Sequence, residues 1–155
     1  MSTLYFDTSA LVKRYSSEIG SQWVIQQCSP AMNHSLITAE FTMAEVAAAL
    51  AAKQRAPKGI TLAQRDAAMS VFLSDCNQQY RLIAVERRII ERAIDLTQRH
   101  RLRGYDAIHL ATAIEANLRL RWAGLSTLIC VAADDDLLAA AGAEGLLTEN
   151  PNHHP

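Results

Sequence analysis

Short blocks dominated by apolar residues, with no strict alternation, lie at residues 4–6, 35–38, 81–85, 128–131 and 146–148. That is the pattern of a strand covered on both faces. Longer stretches with helical spacing separate them. A helix is expected from Ser9 or Ala10 onward, closed by a loop at Ser29-Pro30 and Asn33. An alanine-rich helix opens at Thr42 and ends before Pro57 and Gly59, with Glu45 placed to complete a capping box with Thr42. Thr61 and Gln64 form a second capping-box pattern, and Met69, Phe72, Leu73 and Cys76 recur at i, i+3, i+4 and i+7 behind it. An arginine-rich helix over 86–102, another over 106–118 after Gly104, and a short one behind Asp134-Asp135-Asp136 complete the alternation. Strands and helices in turn predict an α/β fold with a parallel sheet covered on both faces.

At 155 residues and 50% hydrophobic composition the chain is expected to form a single domain over 1–150. Residues 151–155, with His153 and His154, are expected to be a disordered tail. Fifteen Lys and Arg against sixteen Asp and Glu give a net charge of −1, which excludes a global positive field, so nucleic acid could be held only by a local patch. Cys28, Cys76 and Cys130 are odd in number and widely spaced, which fits neither a disulfide framework nor a zinc ribbon. Buried thiols in a reducing compartment fit better. No apolar run approaches the roughly 18 residues of a membrane span, so a soluble cytoplasmic protein with no membrane association is expected.

Ligands of an open α/β sheet bind beyond the carboxyl ends of its strands, so acids at strand-to-helix junctions carry the candidate chemistry. Asp7 follows the first strand and Asp134 the fourth; Glu45 lies in the first turn after the second, and Asp106 opens the helix Asp106-Ala107-Ile108-His109-Leu110. Each alone is explained by helix capping or by the helix dipole, worth about 0.3 to 1 kcal/mol. Together they mean more, because three or four ionised carboxylates at one edge repel unless a cation joins them. An all-oxygen set without a Cys or His cluster selects Mg²⁺ or Mn²⁺ over Zn²⁺. Glu40 stands five residues before Glu45, on a different helix face.

Asp7-Thr8-Ser9-Ala10-Leu11, Ala44-Glu45-Val46 with Ala49-Leu50, Tyr105-Asp106-Ala107-Ile108-His109-Leu110-Ala111-Thr112-Ala113, and Val131-Ala132-Ala133-Asp134 with Leu137-Leu138, Gly145 and Asn150-Pro151 occur in that order. In these segments the chain resembles PIN-domain ribonucleases of the VapC toxin type. The resemblance implies a three-layer α/β/α sandwich with a short parallel sheet and an Mg²⁺- or Mn²⁺-dependent endoribonuclease acting on RNA. It also implies a homodimer and a cognate small antitoxin. It places the catalytic and metal-binding acids on Asp7, Glu45, Asp106 and Asp134, with a supporting hydroxyl from Ser9 or Thr8. The family often has Thr or Ser two residues before the last acid and basic residues after it. Here Ala132 precedes Asp134, and Asp135 and Asp136 follow, which leaves open which of the three aspartates faces the metal.

Lys13 and Arg14 lie one or two turns past Asp7 and are candidate RNA contacts. Arg88, Arg92 and Arg99 fall near one side of their helix, as a solvated face or a phosphate-contacting stripe. His109 shares a helix face with Asp106 and is expected to be a buried or supporting residue rather than a ligand. Two other functions fit parts of the pattern: a non-catalytic RNA- or protein-binding PIN module, and a phosphotransferase with an aspartyl nucleophile. The second commonly has another Asp where this chain has Ser9.

Overall fold

The structure is a computed structural model that describes residues 1–154. Five strands, β1 (Thr3–Phe6), β2 (Ser35–Ala39), β3 (Tyr80–Ile83), β4 (Ile129–Val131) and β5 (Leu147–Glu149), form one parallel sheet in the order β3-β2-β1-β4-β5. Among the described residues seven helices connect them: α1 (Thr8–Leu11), α2 (Ser21–Gln27), α3 (Thr42–Arg55), α4 (Leu62–Gln78), α5 (Arg87–Arg99), α6 (Gly104–Trp122) and α7 (Asp135–Ala143). From β1 the chain winds outward through β2 to β3, then crosses back to β4 and β5 on the other side. The winding reverses between β1 and β4, where Phe6 pairs with Val131. Such a reversal opens a crevice at the carboxyl edge of the sheet.

Successive strand residues point to opposite faces, and the two cores follow that parity. Leu4 and Phe6 of β1 join Leu36, Val131, Leu11, Val24, Val46, Leu50, Phe72 and Cys76 beneath α1 to α4. Tyr5 points the other way, with Ile37, Cys130, Ile89, Leu96, Leu110, Ile114 and Leu137 beneath α5, α6 and α7. Near-complete burial of β1, β2 and β4 on both faces explains why these strands read as apolar blocks. The three-layer α/β/α sandwich is therefore the observed architecture. No helix among the described residues is long and apolar enough to cross a membrane.

Several local expectations are corrected. The first helix does not run on: α1 ends at Leu11, tightens into a 3-10 turn at Val12–Arg14, and α2 begins anew after Gly20 in a left-handed conformation. The capping box at Thr61 and Gln64 forms, but the one expected at Thr42 does not. Thr42 lies inside α3, fully buried, and its hydroxyl accepts from Thr38 Oγ1 at 2.9 Å. That leaves the Glu45 side chain free for a tertiary partner. Residues 151–154, expected within a disordered tail, instead form a 3-10 turn over Pro151–His153 that Asn150 caps, and the His154 ring stacks on Trp23 at 4.7 Å. Pro151 is buried and lies against Gly20; Pro155 lies outside the described residues.

Gly20 combines φ +83° with a close approach: a Cβ there would stand 2.3 Å from the Pro151 carbonyl oxygen. Gly20→Ala should destabilise by at least about 1 to 2 kcal/mol, the cost of left-handed backbone for an L-residue. In a domain of this size that lowers Tm by at least about 3 °C. Gly142→Ala, within α7 and with open space around the new methyl, should instead raise stability by roughly 0.5 kcal/mol or more. Thermal unfolding of the two variants measures both signs.

Candidate active site

Asp7 follows β1 at the point where the winding reverses, and its backbone N–H donates to Val131 O of the neighbouring strand at 3.1 Å. Its carboxylate caps α1, with Oδ1 accepting from Ala10 N at 2.9 Å. The Ser9 hydroxyl donates to that carboxylate at 2.8 Å and accepts from Ala133 N at 2.9 Å. Ser9 therefore ties the end of β1 to the segment leaving β4. Asp7 is 4% exposed. Burial pushes its carboxyl above the usual range, opposed by the hydrogen bonds from Ala10 and Ser9.

Glu45 enters from the first turn of α3 and meets two groups from other elements. His109 Nε2 donates to Glu45 Oε2 at 2.8 Å, and the Thr8 hydroxyl donates to the same oxygen. Burial would raise the Glu45 carboxyl, but the hydrogen bonds from His109 and Thr8 and the charge of Arg103 outweigh it and hold it below the ordinary value. His109 is itself fixed from behind. Tyr5 OH lies 2.9 Å from His109 Nδ1. With Nε2–H given to a carboxylate, a neutral imidazole leaves Nδ1 as acceptor and Tyr5 as donor. The rings of Phe41 and Tyr5 pack against His109 at centroid distances of 4.6 and 6.0 Å.

Asp106 stands in the first turn of α6, one turn before His109, and Asp134 caps α7 by accepting from Leu137 N at 2.9 Å. Arg103 links them: its Nε donates to Asp106 Oδ2 at 2.9 Å, and its Nη2 lies 3.9 Å from Asp134 Oδ2. Asp7, Thr8, Ser9, Glu45, Arg103, Asp106, His109 and Asp134 line one cleft of about 220 Å³. A second cleft of about 510 Å³ shares Arg103, Asp106 and Asp134 and continues along Thr97, His100, Arg101 and Asp136. Of the three consecutive aspartates, Asp134 faces the shared cleft, Asp135 accepts from Asn150 Nδ2 at 3.0 Å, and Asp136 lines the outer one.

The cleft thus brings together Asp7, Glu45, Asp106, Asp134, Thr8 and Ser9, all six named from the sequence. Lys13 and Arg14 are not brought there. The 3-10 turn after α1 carries them away from the cleft, and the fold uses both internally. Lys13 is buried, pairing with Glu18 at 3.1 Å and donating to Ile19 O at 3.0 Å. Arg14 donates to Tyr80 OH at 2.7 Å and pairs with Asp75 at 3.2 Å. Glu40 is exposed and absent from the cleft. The arginine stripe on α5 is tied up as well: Arg88 pairs with Glu86, Arg92 with Glu115, and Arg99 with Asp95 and Glu144. Sequence reasoning missed two participants. Arg103 was signalled by its i, i+3 spacing to Asp106; Tyr5, a strand residue facing the core, carried no local signal.

The donor set is all carboxylate oxygen, which fits a hard divalent cation. Among the described residues, no three His, Cys, Asp or Glu side chains stand close enough together to share one ion. The acids converge on the cleft without closing into a ligand shell, and the guanidinium of Arg103 lies between two of them.

Comparison with known proteins agrees with this architecture. The chain is similar over 96% of its length to a chain of a toxin-antitoxin complex from Klebsiella pneumoniae, 97% of which is covered, with 19% identity and a TM-score of 0.59. VapBC2 from Rickettsia felis, solved bound to a DNA fragment from its promoter, matches with 14% identity and a TM-score of 0.63, covering 96% of this chain and 98% of that one. VapC20 of Mycobacterium tuberculosis, described as a Sarcin-Ricin loop cleaving toxin, gives 18% identity and a TM-score of 0.60 over 98% and 99%. No curated protein matches the sequence significantly. At these identities the solved structures speak for the fold. The family model for the PIN domain matches residues 4–143, and the chain belongs to the PIN domain family.

Proposed function

We propose that the chain is a metal-dependent endoribonuclease, the toxin of a toxin-antitoxin pair, acting in the cytoplasm. The observation that carries this reading is the convergence of Asp7, Glu45, Asp106 and Asp134 on one cleft at the winding reversal of the sheet. The fold it shares with toxin components supports the biological role, and the reported activity of VapC20 supports RNA as the substrate class.

PIN-domain nucleases generally use divalent metal ions, and in this chain Asp7, Glu45, Asp106 and Asp134 would hold Mg²⁺ or Mn²⁺. Such an ion supplies water activation and charge stabilisation for phosphodiester hydrolysis. The protein's own part is orientation. Ser9 and the Ala10 N–H hold the Asp7 carboxylate. The Tyr5–His109 pair and Thr8 orient Glu45 and favour its ionised form. Hydrolysis of this kind needs no covalent nucleophile and leaves a 5′-phosphate and a 3′-hydroxyl. A cleft holding four carboxylates also favours a cationic segment from a partner, which fits a small antitoxin lying across it. The assembly we envisage is a homodimer with that antitoxin.

Asp7→Asn keeps the shape and capping capacity of Asp7 while removing its charge. Mg²⁺-dependent cleavage of total cellular RNA, with an EDTA control, should fall at least a hundredfold, on the scale of about 3 kcal/mol of lost transition-state stabilisation. Melting curves should show little change, and Glu40→Gln should cleave like wild type. Cleavage that survives EDTA, or an Asp7→Asn protein as active as wild type, would reduce these acids to helix caps. Tyr5→Phe takes away the donor to His109 and should lower kcat about tenfold with KM preserved, as loss of a supporting hydrogen bond does. Steady-state kinetics on a short RNA separates the two parameters. Co-expression with a small protein encoded beside the toxin should yield a purified complex and relieve growth arrest; failure of both would remove the antitoxin from this reading and leave the nuclease.

A further inference from the structure

Arg103 occupies an unusual position for a surface arginine. Its side chain is 84% exposed, yet its guanidinium turns onto Asp106 at 2.9 Å and reaches Asp134 at 3.9 Å. It lines both the carboxylate cleft and the 510 Å³ cleft beside it. Three neighbouring basic side chains are engaged away from the acids: Arg99 and His100 with Glu144, Arg92 with Glu115. Arg103 also precedes the first residue of α6, so movement of its side chain disturbs no helical hydrogen bond.

We propose that Arg103 exchanges partners during the reaction cycle. It neutralises Asp106 and Asp134 while no divalent cation is bound, then yields them to the metal and turns into the adjoining cleft to hold a phosphate of the RNA strand. The inference rests on the nuclease reading and adds to it both a positioning residue and the path of the strand. Three observations carry it. The carboxylates that would hold the metal are the ones Arg103 holds. The Arg103 end of the ion pair is solvent-exposed, so water can replace its contacts and the pair can be displaced. The wall to which the freed guanidinium has access contains Arg101, a second cation suited to a phosphate backbone, and a guanidinium binds phosphate with two parallel hydrogen bonds.

The test uses Arg103→Gln and Arg103→Lys in the full chain, with Mn²⁺ as the probe in calorimetry and a short single-stranded RNA in steady-state kinetics. Removing the competing cation should tighten Mn²⁺ binding about fivefold, the factor that a displaced surface ion pair represents. Losing a charge-assisted contact to phosphate should raise KM for RNA about tenfold. Arg103→Lys keeps the charge without the fork, so its Mn²⁺ affinity should stay near wild type while its KM rises nearly as much as in Arg103→Gln. Unchanged or weaker Mn²⁺ binding by Arg103→Gln overturns the exchange, as does an unchanged KM, and in either case the nuclease reading stands. Absence of Mn²⁺ binding in wild type and Arg103→Gln alike overturns the metal-site reading, and this inference falls with it.

Discussion

Satisfying four carboxylates that line one cleft at the edge of the sheet is the constraint around which this molecule is arranged. A parallel sheet directs the carboxyl end of every strand, and the N-terminus of every following helix, to the same side. Asp7 and Asp134 arrive there from adjacent strands, and Glu45 and Asp106 from the first turns of α3 and α6. A carboxylate drawn out of water needs a hydrogen-bonding or charged partner. The chain answers with groups of its own: helix N–H groups for Asp7 and Asp134, a histidine and a hydroxyl for Glu45, a guanidinium for Asp106 and Asp134.

The packing of α6 makes that answer possible. Ala107, Ala111, Ala113 and Ala116 are buried along it, and small side chains let a helix lie close to its neighbours. At that distance His109 reaches Tyr5 behind it and Glu45 in front. Tyr5 belongs to the core under α5 to α7, whereas its neighbours Leu4 and Phe6 belong to the opposite core. The two halves of the sandwich thus meet at the site through one chain of hydrogen bonds running from a strand, through α6, to α3.

Helix capping and site chemistry are the same interaction seen at two scales here. Asp7 and Asp134 do cap α1 and α7, and the N–H groups that accept their charge also orient their oxygens. Ser9 extends the principle, since its one hydroxyl restrains Asp7 and fastens β1 to the strand-end segment carrying Asp134. A residue that stabilises the fold locally therefore also positions the site.

What the sequence by itself determined was whatever depends on near neighbours in the chain. The apolar blocks, the helical periodicities, the capping box at Thr61 and the acids at strand ends were legible because strand burial, helix faces and N-caps are set within a few residues. The winding reversal was decided only by tertiary structure. So was the partner each polar side chain found across the fold: Glu45 with His109 instead of a capping box at Thr42, Lys13 with Glu18 and Arg14 with Tyr80 instead of the cleft, Asp134 instead of Asp135 or Asp136 at the shared face. The order at Pro151–His153 belongs to this second class, because it depends on Gly20, far away in sequence and in contact only once the chain is folded. The physical reason is range: backbone preference acts over one helical turn, while the charge of a side chain is satisfied by whatever the packed layers bring within about 3 Å of it.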